Sequence, residues 1–119
     1  MKKKILIVED DSDLLAGLCW MLSNEGFDAI GVEDGDKGLH QAIDDPPDLI
    51  IVDIYLPELD GVEMIKLLRK QPEFAATPIV VLSAFPNDIT RAIAAGANSA
   101  IPKPVDREML IRIVRNLLP

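Results

Sequence analysis

The 119-residue chain has a single cysteine, a single histidine, one tryptophan and one tyrosine, and aromatic residues make up only 4% of it. Cys19 has no second thiol to pair with, so an internal disulfide is excluded. With Leu15, Leu18 and Leu22 around it, it reads as a small core residue and not as a reactive thiol. Positive charge is scarce: 12 Lys and Arg face 20 Asp and Glu, for a net charge of −8. Such a chain lacks the basic surface that nucleic acid or an anionic membrane requires, so a DNA-related role would need another domain. Long apolar runs are missing as well. The longest are strand-sized, and the start MKKKILIVEDD offers four apolar residues before an acidic cluster. Neither a membrane span nor a signal peptide fits, and a cytoplasmic protein is expected. There is no low-complexity stretch, no long linker and no repeat larger than a βα unit. What remains, 49% hydrophobic residues in 119, suffices for one compact domain over residues 1–119 and is too short to make two.

Strand and helix patterns take turns along that domain. Residues 4–8, 27–32, 49–52, 78–82 and 98–101 read as strands, the last weak in propensity. Apolar residues at helical spacing fall between them: Leu14, Leu18, Met21 and Leu22; Leu39, Ala42 and Ile43; Val62, Ile65 and Leu68; Ile89, Ile93 and Ala94; Met109, Ile113, Val114 and Leu117. Ser12, Asp34, Asn87 and Asp106 stand where N-caps belong, Asp60 with Glu63 forms a capping-box-like start, and Gly26 and Gly96 stand where helices stop. Five βα units in this length predict an α/β fold, a five-stranded doubly wound parallel sheet with helices on both faces. In such sheets ligands bind beyond the carboxyl ends of the strands, where strand order reverses.

The residues just past those ends are Glu9, Asp10 and Asp11, then Asp53, Ser83 and Lys103. The run LIIVDIYLPELDG shows the pattern most sharply, because four apolar residues of a doubly buried strand lead straight into the carboxylate of Asp53. Acidic groups converging from the first and third strands repel one another unless a cation neutralises them. An all-oxygen set without His or Cys suits Mg²⁺. Asp53 would then be a nucleophile or a ligand, and a carboxylate beside Mg²⁺, a lysine and a hydroxyl is what phosphoryl transfer onto an aspartate requires.

Four segments in this order and spacing, ILIVEDD, VDIYLPELDG, VVLSA and AGANSAIPKP, resemble the receiver domains of two-component response regulators. The resemblance runs from Lys4 to about Leu118 and implies a flavodoxin-like sheet of strand order 2-1-3-4-5. It implies that Asp53 accepts phosphate from a sensor histidine kinase or a histidine phosphotransfer protein. Asp10 would bind Mg²⁺ directly, Glu9 through water, and the carbonyl of Tyr55 would complete the protein ligands. Ser83 and Lys103 would contact the phosphoryl oxygens, and the Lys103–Pro104 bond would be cis. The family commonly signals, often by dimerising, through a face that here spans residues 87–117.

Other residues carry blander readings. Asp11 caps the first helix, His40 lies on a polar face, and Trp20 and Lys2 to Lys4 are surface or partial-core features. One departure from the family matters: three residues before Lys103, where the family has Tyr or Phe, stands Ala100, so the usual aromatic switch cannot operate. Tyr55 and Phe85, two residues past Asp53 and Ser83, are expected to line the mouth of the site, either shielding it from water or covering nearby apolar surface. The chain reads as a stand-alone receiver or as one piece of a larger regulator or hybrid kinase. An aspartyl-nucleophile phosphatase would want an acid at Tyr55, and a binding-only pseudo-receiver would be expected to lack Asp10, Asp53 or Lys103.

Overall fold

A computed structural model describes all 119 residues. The strands are β1 (Lys4–Val8), β2 (Asp28–Val32), β3 (Leu49–Asp53), β4 (Ile79–Ser83) and β5 (Ser99–Pro102). The helices are α1 (Ser12–Asn24), α2 (Gly35–Asp44), α3 (Gly61–Arg69), α4 (Pro86–Ala95) and α5 (Arg107–Leu117). All strand pairs are parallel, in the order β2-β1-β3-β4-β5, as the resemblance implied. Side chains alternate across each strand, so two cores form. Leu6, Val8, Ile50, Val52, Ile79 and Val81 face α2, α3 and α4, while Ile5, Ile7, Leu49, Ile51, Val80 and Leu82 face α1 and α5. Every residue of β3 and β4 is buried. Each large aliphatic side chain there contributes about 1.5–3 kcal/mol of hydrophobic stabilisation, which rigidifies the two strands that end at Asp53 and Ser83.

Local signals set most boundaries, with two corrections. Of the two residues read as caps of α1, Asp11 is the N-cap, accepting N–H from Asp13 and Leu14 as expected, whereas Ser12 does not cap and donates its hydroxyl to Glu33. At α4 the cap expected at Asn87 is not used. Pro86 opens the helix behind Phe85, because proline needs no N–H partner in the first turn and its φ already suits a helix. Asp34, Asp60 and Asp106 cap as expected. Gly96 (φ +124°) ends α4, and Gly26 (φ +93°) follows the residue that ends α1. A 3-10 turn at Pro72–Phe74 has no periodic signal in the sequence; it drives Phe74 fully into the core. Cys19 is half-buried against the α1 and α5 core, and burial pushes its thiol pKa up, whereas Trp20 is exposed. No helix is long and apolar enough to cross a membrane.

Candidate functional site

The carboxyl edge of the sheet brings Glu9, Asp10, Asp53, Ser83 and Lys103 to neighbouring strand ends. Asp53 is the last residue of the central strand and is 4% exposed. The loop after it folds back tightly: Gly61 donates its N–H to the carbonyl of Ile54, and a Cβ on Gly61 would lie 2.2 Å from the carbonyl oxygen of Asp53. Only glycine permits that approach. Tyr55 then donates its backbone N–H to Asp53 Oδ1, fixing the carboxylate. The Lys103 backbone N–H is held by the carbonyl of Ser83, and the following bond to Pro104 is cis as implied.

Charge is concentrated where solvent is scarce. Carboxylate oxygens of Glu9, Asp10 and Asp53 all lie within 4.8 Å of one another. Lys103 Nζ stands 2.5 Å from Asp53 Oδ2 and 3.0 Å from Glu9 Oε1. Burial works against the lysine's charge, but the Asp53 and Glu9 carboxylates outweigh it, and its pKa is raised. Glu9 is completely buried. Desolvation foremost, with the charge of Asp53 added, pushes its carboxyl up to about 7, although the N–H of Asp11 and the ammonium of Lys103 pull the other way. The Lys103 ammonium is the charge partner of the buried Glu9 Oε1, which no other donor reaches. Three carboxylates within 4.8 Å of one another, with no nitrogen or sulfur donor among the three residues and one lysine to balance them, are a donor set that fits a hard cation such as Mg²⁺.

The other expected residues have more local partners. The buried Ser83 hydroxyl closes a turn, accepting the N–H of Phe85 and donating to its carbonyl. Asp10 is exposed, and Asp11 serves as the α1 cap. The Tyr55 and Phe85 rings meet edge to face, with centroids 6.1 Å apart, and both remain more than half exposed. Asp88 went unnoticed in the sequence. It is 6% exposed and accepts a 2.7 Å hydrogen bond from the Tyr55 hydroxyl, with Arg91 3.1 Å from its other oxygen. The spacing to Arg91, three residues on, suggests a surface ion pair and nothing about Tyr55. The largest surface concavity lies away from this site, between Glu25 and Arg107, Glu108, Ile111 and Arg112.

A doubly wound sheet of this strand order, with an acidic cluster, a lysine and a hydroxyl gathered at its carboxyl edge, defines a class of α/β signalling domain. The chain belongs to the response regulator receiver domain family, whose model matches residues 5–115. The alkaline phosphatase synthesis transcriptional regulatory protein PhoP of Bacillus subtilis (strain 168) is 36% identical over 116 residues, which is 95% of this chain and 48% of that protein. The chain thus spans about half the length of the curated relatives it matches. A putative response regulator from Chloroflexus aurantiacus J-10-fl superposes with a TM-score of 0.96 at 29% identity, covering 99% of this chain and 98% of that one. The receiver domain of the sensor histidine kinase PA1611 from Pseudomonas aeruginosa PAO1, solved with a magnesium ion coordinated in its active-site cleft, gives 0.91 at 30% identity and 98% coverage of each chain. Receiver domains are phosphoacceptor signalling domains that histidine kinases phosphorylate.

Proposed function

We propose that residues 1–119 form one receiver unit in which Asp53 accepts a phosphoryl group from a sensor histidine kinase or a histidine phosphotransfer protein. The observation that carries this is the position of Asp53: a nearly buried carboxylate at the end of the central strand, 2.5 Å from a lysine ammonium and within 4.8 Å of two more carboxylates. An Asp53 oxygen attacks the phosphorus of the phosphohistidine, the P–N bond breaks, and the imidazole leaves with the bond's electrons and takes up a proton. Lys103 turns its ammonium from the free carboxylate to a phosphoryl oxygen, and the Ser83 hydroxyl donates to another. Mg²⁺, held by Asp10, Asp53 and the Tyr55 carbonyl and through water by Glu9, would supply charge neutralisation for the incoming phosphoryl oxygens.

Phosphorylation then changes a protein-binding face over residues 87–117, which carries the signal and through which two copies of the domain would pair. That face must work without an aromatic at Ala100, whose strand pairs with β4. The domain assists its own phosphorylation and dephosphorylation and binds no nucleic acid directly. Incubation with phosphoramidate and Mg²⁺ tests the reading: intact mass should rise by one phosphate in the wild type and not in Asp53→Asn, and chelating Mg²⁺ should block the gain. A wild type that gains nothing would leave a binding-only receiver.

A further inference from the structure

Four of the five helices start at an aspartate whose carboxylate accepts a first-turn N–H: Asp11, Asp34, Asp60 and Asp106. Helix α4 is the exception, since Phe85 offers no side-chain cap. Its first-turn acid, Asp88, is turned away from the helix end to Tyr55, whose ring lies in the loop that leaves Asp53. A carboxylate that is 6% exposed, with one oxygen on a tyrosine hydroxyl 33 residues away and the other on Arg91, is a built contact and not a solvated surface charge.

The segment from Ser83 to Asp88 is therefore held from two sides. Ser83 Oγ bonds both the N–H and the carbonyl of Phe85, and that same carbonyl accepts the N–H of Asp88. From the other side Tyr55 grips Asp88 through its hydroxyl and packs its ring edge-on against Phe85. If Ser83 swings to a phosphoryl oxygen, its two bonds to Phe85 are lost. The start of α4 is then held from the Asp53 loop alone, by the Tyr55–Asp88 hydrogen bond and the Tyr55–Phe85 ring contact.

We infer that Asp88 is a positioning residue: its hydrogen bond with Tyr55 is a clasp that holds the first turn of α4 in the unphosphorylated arrangement, and its release couples α4 to the state of Asp53. This rests on the phosphoacceptor reading of Asp53. It gives a chain with Ala100 on β5 a route to α4 through β3 and the loop after it. A ligand that favours the released arrangement must also bind more tightly once the clasp is removed, because coupling between two sites is reciprocal.

Tyr55→Phe keeps the ring and removes the hydroxyl, and Asp88→Asn weakens the acceptor. Amide exchange over residues 87–91, with and without beryllofluoride and Mg²⁺ as the phosphate mimic, reads the clasp directly. In the wild type the mimic should speed exchange there. Tyr55→Phe should exchange faster without any mimic, by about tenfold, the loss expected for one hydrogen bond to a charged group. It should also take up the mimic at lower concentration, and the Tyr55→Phe/Asp88→Asn double variant should go little further than either single change. Unchanged exchange in Tyr55→Phe overturns the clasp. Faster exchange with unchanged mimic uptake reduces it to a structural contact and overturns the coupling. A wild type that takes up neither mimic nor phosphate defeats the phosphoacceptor reading and the coupling with it, and is told apart because the exchange difference without mimic would persist.

Discussion

Replacing Asp10 with asparagine should stabilise the protein in the absence of divalent metal. Asp10 stands at the exposed mouth of the acidic cluster, with carboxylate oxygens of Glu9 and Asp53 within 4.8 Å and no ion pair of its own. Two charges at that distance repel by about 0.9 kcal/mol in bulk water and about 3.5 kcal/mol at the effective dielectric of a protein surface. Exposure of Asp10 weights the result toward the lower figure, and Glu9, whose carboxyl is pushed up to about 7, is only partly charged at neutral pH. The Lys103 ammonium in contact with both carboxylates attracts Asp10 and offsets part of this, which leaves a net gain of up to about 1 kcal/mol, on the order of 4 °C in melting temperature for a domain of this size. Asp53→Asn should differ, because it also discards the 2.5 Å ion pair with Lys103, and the two effects nearly cancel. Thermal unfolding followed by circular dichroism, in EDTA and in excess Mg²⁺, measures both. In the wild type, Mg²⁺ at a hundred times its dissociation constant should add about 2.7 kcal/mol, and in Asp10→Asn very little. An Asp10→Asn protein that melts lower than wild type in EDTA, or that shifts equally with Mg²⁺, would refute the clustering argument.

Glu58 is the one non-glycine residue at positive φ (+69°), so Glu58→Gly should raise stability by roughly 0.5–1 kcal/mol, read from urea midpoints at an unchanged slope. Arg69 donates to the carbonyls of Gly96 and Phe74 and to Asn98 Oδ1, which in turn accepts the N–H of Ile79; Arg69→Ala should cost about 2–3 kcal/mol, and Arg69→Lys, lacking the planar fork, should recover little of it. Tyr55→Asn and Phe85→Ala together should speed loss of phosphate from the labelled protein by roughly tenfold, a barrier change of about 1.4 kcal/mol, if the two rings, which pack edge to face two residues past Asp53 and Ser83, shield the phosphate from water. Unchanged loss in a radiolabel chase would assign the rings to packing alone.

The sheet was legible because its signals are local. Continuous apolar runs mark doubly covered strands, helical stripes mark the crossovers, and the rule about strand ends picks out Asp53 and Lys103 from spacing alone. What the sequence hides is partnership across distance. Asp11 is legible as a helix cap; Glu9 and Asp10 look alike as acidic neighbours, yet one is fully buried and the other exposed, which depends on how β1 meets β3. Asp88 reads as a helical surface acid until the fold brings Tyr55 to it. The α4 cap at Asn87 fails for a more local reason, since Pro86 is itself a strong first-turn residue and moves the cap back to Phe85.

The most direct test of the central claim is to locate the phosphate. After incubation with phosphoramidate and Mg²⁺, borohydride reduces an acyl phosphate on aspartate to the alcohol, and peptide mapping identifies the altered residue. Homoserine is expected at position 53 in the peptide that contains LIIVDIYLPELDG, and none in the Asp53→Asn protein. A reduction-resistant phosphate on Ser83, or an unmodified Asp53 under conditions in which the intact mass has risen, would contradict it.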